Sequence, residues 1–364
     1  MGARPPLQEP ERPGLGGQGW TWRNLIVACT LSLLVLAGLV AATWDRDSYR
    51  ALSGLHGRAL GAALAALAAS WALNTLRAWM VARALGHPVG GRVAFRAVMA
   101  GAYVAALTPF AGGGGAAEAL VLAQGGLPYP LALAGVTASG VIAQAVLLAG
   151  TAVALLSPLP LPGVPVLRMV ARWLWAPYAL ALAGVAAALM RLELLAGPVD
   201  RLLGWLERLW PRAARRLAGW RAKSRSFLVS TAQGVRTLLQ ARPGVVVALA
   251  VLYVGYYGAI FSVAPLIGIP MGLELSPAAI LVAQFPLFLL AGAMPTPGAS
   301  GAMEAAMAAL VAPHLPLAAV GVFVTAWRAL TLYPAMAVGA MAAVSTLRSL
   351  GQAGSQPGRL HSPA

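Results

Sequence analysis

Among the ionisable side chains in apolar stretches of the sequence, Glu118, Glu304 and Arg328 are the leading candidates for function. A charged side chain is costly in a lipid environment, so such residues are candidates for function. The planar guanidinium of arginine can donate two parallel hydrogen bonds to phosphate oxygens. We therefore predict that Arg328 contacts a lipid phosphate, while Glu304 holds that arginine in place or accepts a proton. A purely structural ion pair between Glu304 and Arg328 is the alternative, because buried charges generally need partners.

Both glutamates follow a segment that would break a helix. The first segment, 108–119, and the second, 296–305, each begin with Thr-Pro, continue through glycines and resume an apolar run that contains the glutamate. Proline lacks a backbone donor and glycine loses extra backbone entropy, so both end helices. Backbone freed in this way cannot face lipid, and it must be buried in protein or line a wet cavity. The sequence therefore predicts two broken helices, one in each half of the chain.

Paired interruptions in corresponding halves are typical of transport sites that are built from a structural repeat. The helix after each break would direct its positive amino terminus toward an anionic group such as a phosphate. We predict that the two helices are broken or re-entrant and meet near the membrane midplane at a substrate site. The alternative is that the glycines only allow close helix packing. The candidate residues in the two segments are Gly113, Gly114, Glu118, Pro297, Gly298, Gly301 and Glu304.

The composition indicates that lipid surrounds these residues. Hydrophobic residues make up 59% of the 364 residues, charged residues make up 10%, and the mean hydropathy is +0.76. A soluble chain could not hide so much apolar surface in one core. The apolar runs are continuous rather than alternating, which favours helices over a β-barrel. Because one crossing needs about 20 apolar residues, we predict an all-α, polytopic membrane helix bundle of about eight spans.

The predicted spans divide the chain into two membrane halves joined by a basic connector. They lie near 24–44, 60–84, 93–108, 131–156, 174–192, 245–267, 278–294 and 317–347. The last exceeds the length of one crossing, so it must tilt, break or protrude. The segments are an N-terminal tail at 1–22, a first half at 23–192, the connector at 193–242, a second half at 243–347 and a C-terminal tail at 348–364.

The connector carries apolar residues at helical spacing, including Leu202, Trp205 and Leu209, with arginines toward the other side. This pattern predicts a helix that lies in the membrane interface, and a solvated linker is the alternative. The formal net charge of +16 also indicates acidic partners. Since the basic residues lie beside and between apolar spans, we predict contact with anionic lipid head groups and not with nucleic acid.

Arginines before the first span favour a cytoplasmic amino terminus in a multi-pass protein of the cell (plasma) membrane. Simple counting of the predicted spans would then place the basic connector outside, against the rule that positive loops stay inside. We therefore expect one segment before Arg172 to cross the membrane in an unusual way.

Cysteine and histidine usage argues against metal or disulfide chemistry. The single cysteine, Cys29, lies in the first apolar run, and the four histidines have no metal-ligand spacing. Residues 298–302 approach a nucleophile elbow around Ser300, but the last of them is alanine and no strand is predicted before it. No phosphate-binding loop, dinucleotide fingerprint or zinc-binding helix is present. We predict that the chain is not an enzyme and uses no cofactor or metal.

A longer motif carries a resemblance to a known family. Residues 294–306 read MPTPGASGAMEAA, and Arg328 follows on the next predicted span. This resembles the signature of the flippase-like membrane family that includes the membrane region of lysylphosphatidylglycerol synthases, a Pro-Thr-Pro-Gly-Gly-x-Gly-x-x-Glu run followed by an arginine. The first half is similar through Asn74 and Arg77, at the end of the second span. The resemblance covers roughly residues 22–347.

The resemblance implies an integral membrane lipid translocase that moves an amphipathic or anionic lipid, or a lipid-linked precursor, between leaflets. The alternative is an accessory subunit or scaffold for a lipid-modifying enzyme, such as an aminoacyl-phospholipid synthase, without catalysis of its own. Arg77 joins the candidate site residues on this basis. Two departures concern the first half: Gly115 and Glu118 stand where the family commonly has glutamate and arginine, and the basic residue usual in the fourth span is missing around 138–144.

Overall fold

The computed structural model describes residues 48–157, 165–210, 214–240 and 243–354, with a few helical positions between 30 and 43. These residues form helices with short connections, and no β-strand occurs among them. The all-α prediction is therefore confirmed. The amino-terminal tail, much of the predicted first span and much of the C-terminal tail lie outside the described residues.

The helices of the described part are numbered here along the chain. They are α1 (Ser48–Gly54), α2 (Gly57–Ala84), α3 (Gly91–Leu107), α4 (Gly114–Gln124), α5 (Tyr129–Leu156), α6 (Pro165–Met190), α7 (Ala196–Leu209), α8 (Ala214–Leu239), α9 (Pro243–Gly268), α10 (Pro277–Ala291), α11 (Ala302–Val311), α12 (Leu317–Thr331) and α13 (Tyr333–Gly354). Short 3-10 turns at Pro109–Ala111 and Pro297–Ala299 separate α3 from α4 and α10 from α11.

Five stretches of the described residues are long and apolar enough to cross a membrane, which makes the chain a multi-pass helical protein. They are Gly57–Ala84, Tyr129–Leu156, Arg172–Met190, Pro243–Met271 and Leu317–Thr346. The predicted spans near 93–108 and 278–294 correspond to α3 and α10. These helices have 17 and 15 residues, fewer than the about 20 that a full crossing needs. The count of eight crossings stays a prediction.

The predicted span at 317–347 breaks into two helices. α12 ends at Thr331 and α13 begins at Tyr333, so Pro334 is the second residue of α13. Proline is tolerated there because the first N–H groups of a helix have no acceptor within it. The structure therefore shows a break at this point.

The helix pairs α3–α4 and α10–α11 are hairpins, and the two ends of each hairpin lie close together. Arg96 near the start of α3 and Gln124 at the end of α4 both donate to Thr346 of α13, Arg96 to the hydroxyl and Gln124 to the carbonyl. In the second hairpin, the N–H of Glu274, before α10, donates to the carbonyl of His314, after α11, at 2.8 Å. Each hairpin therefore enters the bundle and returns.

Glycines allow the closest helix contacts. An ideal Cβ on Gly339 of α13 would lie 2.3 Å from the carbonyl oxygen of Met99 in α3. A Cβ on Gly150 of α5 would lie 2.1 Å from the ring of Phe285 in α10. No side chain larger than hydrogen fits at either position without a shift of the neighbour.

The basic connector contains two helices with different surroundings. The apolar side chains Leu202, Trp205 and Leu209 of α7 are all more than half exposed. In contrast, α8 packs along α5 and buries Ala232 and Val235 completely or almost so. The helix predicted for the interface is α7, and its contact with a membrane stays a prediction, whereas α8 is part of the bundle.

Candidate functional site

The two Thr-Pro segments adopt the same backbone conformation. The threonine before each proline is extended, and the proline begins a 3-10 turn. The next residue is left-handed in both segments, because Phe110 has φ 57° and ψ 17° while Gly298 has φ 61° and ψ 16°. Ala111 and Ala299 follow with positive φ as well. The echo in the sequence is therefore a repeat in the structure.

The two breaks contact each other. The N–H of Phe110 donates to the carbonyl oxygen of Met294 at 3.1 Å, and this bond joins the first turn to the residue that precedes the Pro-Thr-Pro run of the second segment. A Cβ on Gly298 would lie 3.5 Å from the carbonyl oxygen of Ala106. The structure thus brings the two predicted segments together, as the sequence indicated.

Gly113 and Gly114 close the first hairpin. The N–H of Gly113 donates to the hydroxyl of Thr108 at 3.1 Å. A Cβ on Gly114 would lie 2.8 Å from the Cβ of Ala105 and 2.9 Å from the carbonyl oxygen of Gly101. These two glycines let α4 pack against α3, and α4 in turn carries Glu118.

Glu118 forms an ion pair with Arg77 of α2. The guanidinium Nη1 lies 2.7 Å from the carboxylate Oε1, and the two side chains are 5% and 11% exposed. Arg77 Nε donates to the amide oxygen of Asn74 at 2.9 Å, and Nη1 donates to the hydroxyl of Ser139 at 3.3 Å. The guanidinium carbon also lies 5.9 Å from the ring centre of Tyr253 in α9. Helices α2, α4, α5 and α9 therefore converge on this pair.

The same pair lines a cavity of about 590 Å³ between α2, α4, α5, α6 and α9. Ligand sites in proteins commonly measure about 300–1,000 Å³, so this volume suits a small head group. Its polar walls are Arg77, Glu118, Thr137, Gln144, Tyr178 and Tyr253, and its remaining lining is Gly115, Val136, Gly140, Val141, Ala181, Leu182 and Val185. A charged pair at the wall of a largely apolar cavity can bind a polar group while its apolar neighbours contact hydrocarbon.

Glu304 and Arg328 form the second pair, and the backbone holds both members. Arg328 Nε lies 2.9 Å from Glu304 Oε1, with the side chains 6% and 0% exposed. The N–H of Gly301 donates to Glu304 Oε2 at 2.8 Å, which fixes the carboxylate at the amino terminus of α11. Arg328 Nη2 donates to the carbonyl of Gly298 at 3.4 Å. Gly301 has φ 87°, a positive value that glycine adopts more readily than any other residue.

Helices α5 and α12 show why the two pairs differ. The ninth and tenth residues of both helices are Thr-Ala, and each threonine donates to the carbonyl four residues before it. The twelfth residue is Arg328 in α12 and Gly140 in α5. A Cβ on Gly140 would meet no atom within 4 Å, and Gly140 lines the cavity. At this helix position the first half therefore has open space and the second half has an arginine. The arginine of the first-half ion pair, Arg77, comes instead from α2.

The predicted site residues thus form two clusters. Arg77 and Glu118 are at the cavity, whereas Pro297, Gly298, Gly301, Glu304 and Arg328 belong to the second break and do not line that cavity. The predicted contact of Arg328 with a phosphate stays a prediction, and in the structure its guanidinium is occupied by protein groups. Ser300 is buried and follows a 3-10 turn.

Sequence reasoning missed Tyr178 and Tyr253. The Tyr178 hydroxyl donates to Gln144 Oε1 at 2.9 Å, so these two residues from α6 and α5 close one side of the cavity. Their only signal in the sequence is a tyrosine within an apolar run, and many such tyrosines serve packing alone. Their place at the cavity depends on how α6 and α9 pack against α5.

The fold and these clusters define a polytopic α-helical membrane protein that buries two Arg–Glu pairs beside two broken helices. The chain belongs to the family of the lysylphosphatidylglycerol synthase transmembrane region, whose family model matches residues 25–339. The resemblance seen in the motifs is therefore confirmed. Comparison with curated proteins and with solved structures found no match.

Proposed function

We propose that this protein is a lipid translocase that moves an amphipathic lipid or a lipid-linked precursor between leaflets. The observation that carries the proposal is the cavity lined by Arg77 and Glu118. Arg77 binds the phosphate of the head group, because a guanidinium is a strong donor to phosphate oxygens. The chain itself performs no chemical conversion of the lipid and needs no cofactor or metal.

The hydrocarbon tails stay in the bilayer while the head group passes along the cavity. Helix α6 forms the outer wall of the cavity, to which it contributes Tyr178, Ala181, Leu182 and Val185. The apolar stretch Arg172–Met190 of this helix has no buried residue, so its other face is open to lipid. A head group that enters beside α6 therefore keeps its tails in contact with lipid. The basic connector gathers anionic lipids at the surface, at roughly 1 kcal/mol per Lys or Arg.

The hairpins α3–α4 and α10–α11 are re-entrant in this proposal and enter from opposite sides of the plasma membrane. If the amino terminus is cytoplasmic and neither hairpin crosses, the loop after α2 and the basic connector lie on the cytoplasmic side. Both then satisfy the positive-inside rule. This topology removes the conflict with the positive-inside rule that arises when every predicted span is counted as a crossing. The unusual segment is α3–α4, which enters the membrane and returns to the same side.

A leaflet-accessibility assay on proteoliposomes tests the proposal. The vesicles contain the purified full chain and trace fluorescent phospholipids, and exchange is followed by quenching of label in the outer leaflet. We expect faster exchange than in protein-free vesicles. We expect Gly140→Phe to abolish it, because the ring fills the cavity at a position where a Cβ meets nothing.

Gly258→Phe is the matched control. Gly258 is an exposed glycine of α9 at which a Cβ also meets no atom within 4 Å, so the same side chain is added outside the cavity. Wild-type exchange in Gly140→Phe would contradict the cavity as the path. No exchange of any lipid by the wild-type chain would contradict translocation and favour an accessory subunit of a lipid-modifying enzyme.

A further inference from the structure

The cavity contains one positive and one negative side chain. Arg77 and Glu118 are the charged residues among its lining, and Thr137, Gln144, Tyr178 and Tyr253 are polar without charge. Its formal charge is therefore zero, although the whole chain carries +16. The surface and the cavity consequently favour different ligands, because the surface attracts anions while the cavity is balanced.

An anionic head group would leave this balance incomplete. When its phosphate binds Arg77, it competes with Glu118, whose carboxylate would remain buried without a positive partner. An unpaired buried charge is strongly unfavourable. A head group that carries a phosphate and an ammonium group removes the conflict, because the phosphate pairs with Arg77 and the ammonium pairs with Glu118.

We propose that the head-group site selects zwitterionic phospholipids, with the phosphodiester at Arg77 and the ammonium group at Glu118. This inference rests on the proposed translocase function and names its substrate class. The ion pair seen in the structure is the resting arrangement, and the lipid replaces one internal pair by two pairs of the same charge. The exchange leaves no buried charge alone.

Arg77 and Glu118 both have atoms available to bind such a ligand. Among the hydrogen bonds formed by the described residues, Arg77 uses Nε and Nη1, and none uses Nη2. Glu118 Oε1 lies 2.7 Å from Arg77 Nη1, and among the hydrogen bonds of the described residues none from a backbone N–H reaches the Glu118 carboxylate. Glu304 differs, because a backbone N–H of Gly301 holds its carboxylate. Glu118 is thus the glutamate that can change partner without releasing backbone.

The tyrosines add a second contact for the ammonium group. The faces of aromatic rings attract cations within about 6 Å, including quaternary ammonium ligands. Tyr253 of α9 already lies 5.9 Å from the guanidinium carbon of Arg77, and Tyr178 of α6 also lines the cavity. The site therefore accepts both a primary ammonium, through Glu118, and a quaternary one, through Glu118 and the rings.

The test compares labelled phosphatidylethanolamine, phosphatidylcholine and phosphatidylglycerol in proteoliposomes of one fixed composition. We expect the wild-type chain to exchange both zwitterionic lipids about tenfold faster than phosphatidylglycerol, which corresponds to ~1.4 kcal/mol. The comparison of the two zwitterionic lipids shows whether the rings or the carboxylate dominate. Equal or faster exchange of phosphatidylglycerol would overturn the inference and leave the translocase proposal standing.

Charge variants give the second readout. Glu118→Gln makes the cavity net positive, so we expect the preference to shift toward phosphatidylglycerol by about tenfold or more. Arg83→Gln, an exposed arginine on the same helix as Arg77, should leave the preference unchanged. An unaltered preference in a folded Glu118→Gln variant would also overturn the inference. If that variant does not fold, the wild-type comparison decides alone, and absence of exchange for all three lipids counts against the translocase itself.

Discussion

Arg77 and Arg328 illustrate how the same residue type can have different roles in one protein. Each is buried and paired with a glutamate near the start of a short helix. Arg77 is held by side chains and lines a cavity, whereas Arg328 is held with Glu304 by backbone groups of the second break. The first pair is therefore suited to exchange partners, and the second is suited to fix the break.

We predict that Glu304→Gln lowers the free energy of unfolding by about 3–5 kcal/mol, because Arg328 is then left buried without its counter-charge. The double variant Glu304→Leu/Arg328→Met should recover much of that loss, since an apolar pair has no charge to compensate. Thermal unfolding in detergent measures both. A double variant less stable than Glu304→Gln would contradict the structural role that we assign to this pair.

At this scale the sequence indicated the second ion pair but neither the first pair nor the cavity. The glutamates and arginines were recognisable because charge is rare in apolar runs, and the pairing of Glu304 with Arg328 was among the alternatives considered. Arg77 was a candidate only through the family resemblance, and its pairing with Glu118 was not predicted. The cavity was not predictable, because it depends on Gly140, and the absence of a side chain leaves no pattern in a chain with 41 glycines.

At the scale of elements, α3 connects the first break to the rest of the bundle. It packs against α4 on one side and α13 on another. Its contact with α13 involves backbone, since Gly339 faces the carbonyl of Met99. A helix in such close contact cannot shift sideways without moving the hairpin that carries Glu118.

Gly339→Ala should therefore lower stability by about 1–3 kcal/mol, the usual cost of overpacking. The added methyl group meets backbone in α3, which cannot rotate away as a flexible side chain would. Gly61→Ala is the control, because a Cβ there meets nothing within 4 Å, and it should stabilise the exposed face of α2 slightly. Comparison of thermal midpoints checks this prediction, and equal midpoints for the two variants would refute the tight contact.

The elements were predictable where composition decides them. Most long helices fall near the predicted spans, because continuous apolar runs bounded by Pro and Gly indicate helices directly. The sequence predicted broken or re-entrant segments without deciding whether α3 and α10 cross the membrane, and their lengths of 17 and 15 residues leave the count of crossings a prediction. The division of the connector into α7 and α8 was missed as well, since burial of α8 depends on its contact with α5.

At the scale of the whole molecule, the returns of the two hairpins determine the topology. The ends of α3–α4 meet α13 near Thr346, and the ends of α10–α11 meet each other at Glu274 and His314. The two breaks meet between these ends. This arrangement supports the proposed topology, in which the two hairpins are inserted from opposite sides of the membrane.

Single-cysteine labelling tests the topology. In a Cys29→Ser background, we expect His87→Cys, Pro128→Cys and Arg208→Cys to react from the cytoplasmic side. Glu274→Cys and Pro313→Cys should react from the other side. Membrane-impermeant maleimide applied to intact cells and to inverted vesicles distinguishes the two groups. Labelling of His87→Cys and Pro128→Cys from opposite sides would mean that α3–α4 crosses.

For the proposed translocase, the missing side chain at Gly140 has a kinetic consequence. If both halves carried the same groups, a lipid arriving from either leaflet would meet equivalent surroundings. Here Gly140 leaves open space in one half, while the equivalent helix position in the other half is Arg328. Entry from the two leaflets therefore need not saturate at the same lipid concentration. Without an energy source, detailed balance still forbids net accumulation, so the asymmetry affects how fast each leaflet is served and not where the lipid finally resides.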